Sequence, residues 1–171
     1  SSLFIYIGAA PAIILEQWHL AETQFHYVFI PIVLGLMLSS FASGRIAGRV
    51  ARVTQLRIGF GMLAVSAAVA AVAHLFAPQL PILFIQLFLF MLASGAQLTY
   101  PVLTLEMIDM HPLARGAAAS VQTFVALGVG AVAMGMIAPV LHGNLALMAW
   151  ISLAGSVLAW LLCTAGSALR R

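Results

Sequence analysis

The sequence predicts an all-α, polytopic membrane protein, and three observations carry that prediction. Of 171 residues, 64% are hydrophobic and 6% are charged, whereas a soluble domain carries roughly 25% charged residues. No solvated surface can be built from that composition, whose mean hydropathy is +1.13. The apolar residues fall in runs of about twenty, the length at which a helix crosses ~30 Å of hydrocarbon. The basic residues, seven arginines and no lysine, gather at alternate connections between those runs. A β-barrel would instead show alternating segments of ~10 residues.

The stretch 43–57 orients the rest, because it holds Arg45, Arg49, Arg52 and Arg57 between two apolar runs. Arginine excess marks the cytoplasmic side of a membrane protein. Alternation then puts Arg115, Arg170 and Arg171 on the same side, and leaves Glu16 and Glu22 opposite, where no Lys or Arg occurs. The C-terminus is therefore expected in the cytoplasm. The sequence pI of about 9.8 does not point to nucleic acid, since the charges sit at span ends and no basic patch is interleaved with aromatics. A single cysteine, Cys163, inside an apolar run excludes a disulfide framework or a cysteine metal site within one chain.

One domain, residues 1–171, with six spans is expected. Residues 1–15 are apolar but only ~22 Å long at 1.5 Å per residue, and read as the second half of a spanning helix. They are not a signal peptide, since they lack a basic flank and further spans follow. Residues 16–26 form a polar connection. The spans that follow are 27–44, 58–76, 82–105, 116–140 and 145–165. Residues 58–76 are rich in alanine, which permits close helix packing. The turn at 77–81 carries no charge. Gly95 and Pro101 are expected to interrupt the span 82–105, and Gly128, Gly130, Gly135 and Pro139 to smooth and loosen the span 116–140. A polar loop, 106–115, joins those two.

Four groups of residues are candidates for function. In Gly44-Arg45-Ile46-Ala47-Gly48-Arg49, small residues separate arginines that can meet acidic groups or helix C-termini, although any positive-inside loop would read similarly. The span 82–105 carries Gln86, Ser94, Gln97, Thr99, Tyr100 and Thr104, and polar groups at bilayer depth usually face a bundle interior or a water-filled cavity. Helix-to-helix hydrogen bonding is the plainer reading of the same residues. Gln122 and Tyr6 join Gln86, Gln97 and Tyr100 as substrate-cavity candidates. Glu106, Asp109 and Arg115 are expected to form cytoplasmic ion pairs, with Asp109 or Glu106 bonding Arg115 or the arginine stretch. Glu16, just past Pro11, is a candidate for proton or cation contact. His19, His26, His74 and His142 lack any HxxxH spacing and read as interfacial. Tyr6, Tyr27, Trp18, Trp150 and Trp160 are more often belt or packing residues than binding residues. No metal or other cofactor is expected.

Tyr6-Ile7-Gly8-Ala9-Ala10-Pro11-Ala12-Ile13-Ile14-Leu15, then Gln24-Phe25 and Ser43-Gly44-Arg45-Ile46-Ala47-Gly48-Arg49, resemble the second half of major facilitator drug-efflux transporters. Among these the Bcr/CflA-type drug:proton antiporters are the nearest resemblance. Tyr100-Pro101-Val102-Leu103-Thr104-Leu105, Asp109, Pro112, Arg115-Gly116 and Ser120-Val121-Gln122 are similar to that group's tenth and eleventh helices and their joining loop. The arginine stretch resembles the second copy of the family's cytoplasmic loop motif, with its acidic member absent. The resemblance implies helices seven to twelve of twelve, the C-terminal half of a major facilitator fold whose partner is an N-terminal six-helix half. It implies a midplane cavity, alternating access, and proton-coupled efflux of small amphipathic compounds across a bacterial inner membrane. A sugar or metabolite exporter on the same scaffold, or a non-transporting six-helix membrane scaffold, are the other readings. No enzyme is expected, since HExxH, GxSxG and paired intramembrane aspartates are all missing.

Overall fold

A computed structural model describes residues 2–12, 25–76, 80–110, 112–141 and 145–168. The sequence expectations at Glu16, Trp18, His19, Glu22, Gln24, His111, His142, Arg170 and Arg171 lie outside these residues. Every regular element among the described residues is helical: α1 (Ser2–Ala12), α2 (His26–Ile46), α3 (Arg52–Phe76), α4 (Ile82–Met110), α5 (Arg115–Val132), a π-helical turn (Ala133–Ile137), α6 (Ala138–Val140) and α7 (Leu145–Ala168). Five stretches are long and apolar enough to cross a membrane: His26–Ile46, Arg52–Phe76, Ile82–Met110, Arg115–Ile137 and Leu147–Thr164. Large apolar side chains such as Phe29, Leu34, Phe41, Phe124 and Leu161 are exposed along them. Exposure of that extent is foreign to a soluble monomer and consistent with a multi-pass membrane protein.

The helices run further into the polar connections than hydropathy suggests. Helix α2 takes in Arg45, and α3 begins at Arg52, so the connection between them shrinks to residues 47–51. That turn is closed by Ala47 N–H donating to the Ser43 carbonyl at 3.0 Å and Arg49 N–H to Ile46 at 3.0 Å. Gly48 sits at φ +79°, a left-handed conformation that side chains with a Cβ adopt at a cost. Helix α4 likewise absorbs Glu106 and Asp109. It is continuous through Gly95 and Pro101, so the expected interruption is absent. A proline inside a helix removes a single donor, the one owed to the carbonyl four residues earlier, and the remaining hydrogen bonds hold the helix.

Helix α4 is the centre of the bundle: half of its apolar window is buried, against 11% for the α5 span. It packs most extensively on α2 and α3, and α3 in turn packs on α7. Ile85, Leu89, Leu92 and Ala93 of α4 meet Ile5, Tyr6 and Ala9 of α1, Val28 and Ile32 of α2, and Met148 and Ala149 of α7 in one core. Lipid tails are as apolar as leucine, so close van der Waals fit rather than dehydration holds such helices together. The tightest fit is the α3–α4 crossing, where a Cβ on Gly59 would lie 3.0 Å from the Gly95 carbonyl oxygen, and one on Gly95 would lie 2.7 Å from that of Gly59. Gln55 ties three helices together. Its buried amide donates to Ser43 Oγ of α2 at 2.7 Å and to the Leu98 carbonyl of α4 at 3.1 Å.

Candidate functional site

The polar residues of α4 divide between two environments. Ser94 and Thr99 are buried and spend their hydroxyls on backbone carbonyls: Ser94 on Gly35 of α2 at 3.4 Å, Thr99 on Ala96 of its own helix at 2.9 Å. Gln86 also bonds helix to helix, donating to the Tyr27 carbonyl at 3.2 Å. That carbonyl is the one deprived of its helical donor by Pro31, four residues on. Gln86 thus repairs a proline defect in α2.

Gln97, Tyr100 and Thr104 follow one another at spacings of three and four, which keeps them on one face. Gln97 lines an open groove of about 590 Å³ with Leu36, Met37, Ser40 and Phe41 of α2. Pro101 withholds the donor that the Gln97 carbonyl would otherwise receive, so this residue offers an amide and a weakly occupied carbonyl together. Tyr100 is 46% exposed. Its carbonyl accepts the Thr104 hydroxyl at 2.9 Å, and Thr104 Oγ1 accepts the Gln122 amide of α5 at 2.8 Å.

This relay fixes the orientation of Gln122. The only hydroxyl hydrogen of Thr104 is committed to Tyr100, so Thr104 can only accept from Gln122, and the amide NH₂ must point towards it. The other end, Gln122 Oε1, is buried without a partner. An acceptor in that state lacks about 1–3 kcal/mol that a donor would restore.

Arg45 places a permanent charge at one end of the groove. Its guanidinium lies 4.6 Å over the ring of Phe41, a groove residue, a cation–π contact that also holds the ring. Arg49 is exposed in the turn beyond it. Gly44 has open space where a Cβ would be, so it serves no close helix approach, and Gly48 serves the turn. Gly116, Gly128 and Gly135 are similarly open, and only Gly130 is packed closely, against Phe4. At the same end of the bundle Asp109 pairs with Arg52 at 2.8 Å, with both side chains about half exposed. Glu106 and Arg115 form no ion pair among the described residues.

Tyr6 is not on the groove. It is 2% exposed in the core, with its ring edge-on to Phe88 at 5.0 Å. His74, in the last turn of α3, has its Nε2 buried, whereas His26 is exposed and stacked on Tyr27 at 4.3 Å. Hydropathy reading missed Ser40 and Gln55 as partners, whereas Arg52 belongs to the arginine stretch expected to meet Asp109. Gln55 had a signal: it lies in register with Gly59, Ser66 and Ala70, the buried stripe of α3.

No protein-family model, no curated protein and no solved structure matches the chain.

Proposed function

We propose that this chain is the C-terminal six-helix half of a proton-coupled membrane carrier that exports small amphipathic compounds by alternating access. The observation that carries the reading is the polar row of Gln97, Tyr100, Thr104 and Gln122, in which Gln97 lines an open groove and Tyr100 is exposed. Polar groups at bilayer depth are rarely turned to lipid. A face of this kind suits a water-filled cavity shared with a second six-helix half. The Gln97 amide in the groove favours compounds that carry hydrogen-bonding groups, and the exposed Tyr100 ring offers an aromatic surface. The arginine end would lie in the cytoplasm by the positive-inside rule, in a bacterial inner membrane. The resemblance to major facilitator drug antiporters supports the substrate class and the proton as coupling ion.

The test is tolerance to exported compounds in cells carrying the complete protein. Gln97→Ala and Tyr100→Ala should each change the tolerance profile several-fold while membrane insertion is unchanged. A profile identical to the parent for every compound tried would sink the assignment of the cavity.

A further inference from the structure

His74 stands in the last turn of α3, at the end away from Arg52 and Arg57. Its Nδ1 lies 2.7 Å from the carbonyl oxygen of Ala70. A carbonyl can only accept, so Nδ1 carries the hydrogen, and in the neutral ring Nε2 is left as an acceptor. That Nε2 is buried and has no partner among the described residues. Beside it is a cavity of about 10 Å³, lined by Tyr6, Ala70, His74, Phe84, Ile85 and Phe88. One water molecule needs ~10–15 Å³ of such space.

Tyr6 is the only other lining residue with a polar side chain, and it connects to a second orphan. Ser152 of α7 is 0% exposed and lies alongside the Tyr6 hydroxyl, yet its Oγ makes no contact of hydrogen-bonding geometry. Two buried polar atoms, on α3 and α7, therefore flank one tyrosine of α1 and are both unsatisfied. Buried polar groups are rarely left so, and an ordered water is the usual remedy.

We propose that this cavity holds one water molecule that donates a hydrogen bond to His74 Nε2. Among the described residues, the other groups facing it are Tyr6 from α1 and the Phe84, Ile85 and Phe88 side chains from α4. The site is distinct from the groove at Gln97 and does not rest on the transport reading.

Solid-state nitrogen NMR of the histidine-labelled protein in lipid bilayers tests this directly. His74→Gln identifies the His74 signals among those of five histidines, and Tyr6→Phe, which shifts the same signals through the shared cavity, serves if that variant does not fold. The expected result is an Nδ1–H tautomer at neutral pH, with magnetisation transfer from water to Nε2 that weakens in Tyr6→Phe. An Nε2–H tautomer, or an Nε2 that receives nothing from water, would overturn the proposal. None of these readouts requires export, so their failure leaves the carrier reading standing, and a carrier that exports nothing leaves the site standing.

Discussion

Replacing Gly95 by alanine tests the close α3–α4 crossing. The new methyl would lie 2.7 Å from the Gly59 carbonyl oxygen, 2.9 Å from Leu63 Cγ and 3.0 Å from the Leu63 backbone nitrogen. Leu63 can swing its side chain, but the two backbone atoms move only with α3. A carbon normally stands no closer than ~3.3 Å from a carbonyl oxygen, so α3 must retreat by about 0.6 Å at the crossing. A gap of that size forfeits about a quarter to a half of each dispersion contact it opens, and overpacking of this kind costs about 1–3 kcal/mol. Alanine also gains up to ~1 kcal/mol over glycine as a helix former, which would mask part of the loss. Gly61→Ala supplies the control: it lies on the same α3 helix with nothing within 4 Å of its new methyl. The difference between the two variants isolates the crossing and should be about 1–3 kcal/mol, read by circular dichroism during unfolding in mixed detergent micelles. Stabilities of Gly95→Ala and Gly61→Ala within ~0.5 kcal/mol of each other would refute the reasoning.

Other substitutions address the polar contacts. Gln55→Leu strands Ser43 Oγ and the Leu98 carbonyl and should destabilise the bundle by about 1–3 kcal/mol in the same unfolding assay; no loss would mean that the three-helix knot is idle. Arg52→Ala and Asp109→Ala, tested as a double-mutant cycle, should show a coupling of about 0.2–1 kcal/mol that fades in molar salt, and a coupling indifferent to salt would contradict an exposed ion pair. Gln122→Leu removes the amide that donates to Thr104 at 2.8 Å together with a buried acceptor that has no partner among the described residues. The two changes offset, so stability should stay within about 1 kcal/mol of the parent. A large loss of stability would show that Gln122 is a structural residue.

Hydropathy and arginine placement were enough to read the helical class and the number of long apolar segments, because both depend on composition over twenty residues at a time. The ends of those segments were not legible in the same way. Arg45, Arg52 and Asp109 extend the helices past the apolar runs, since an arginine or a carboxylate at a helix end costs little when it reaches water or a partner. Gln86, Gln97 and Gln122 were visible as polar residues in an apolar span, but sequence could not say which neighbour each would meet. Gln86 turns to a carbonyl freed by Pro31, a relation between two helices that no single-helix pattern contains. Tyr6 was misplaced for the same reason, because an aromatic with a hydroxyl suits a cavity wall and a core equally until its neighbours are known. Gln55 was hidden by its company, as it sits among arginines that draw the eye to charge, while its register with Gly59 and Ser66 marks it as inward-facing.

The π-helical turn at Ala133–Ile137 has a consequence for the timing of the fifth span. A π turn carries one residue more than an α turn, and each residue of an α-helix is worth ~100° of rotation. The turn therefore acts as a phase adjuster between two lengths of one rod. On its upstream side Gln122 keeps its bearing on Thr104, while on its downstream side Leu141 keeps its place in the core. Removing one residue from the turn would straighten the rod and twist its two lengths against each other by ~100°, so that only one of the two alignments could survive. The surplus residue is what allows a single span to keep two appointments that an unbroken α-helix would set at conflicting angles.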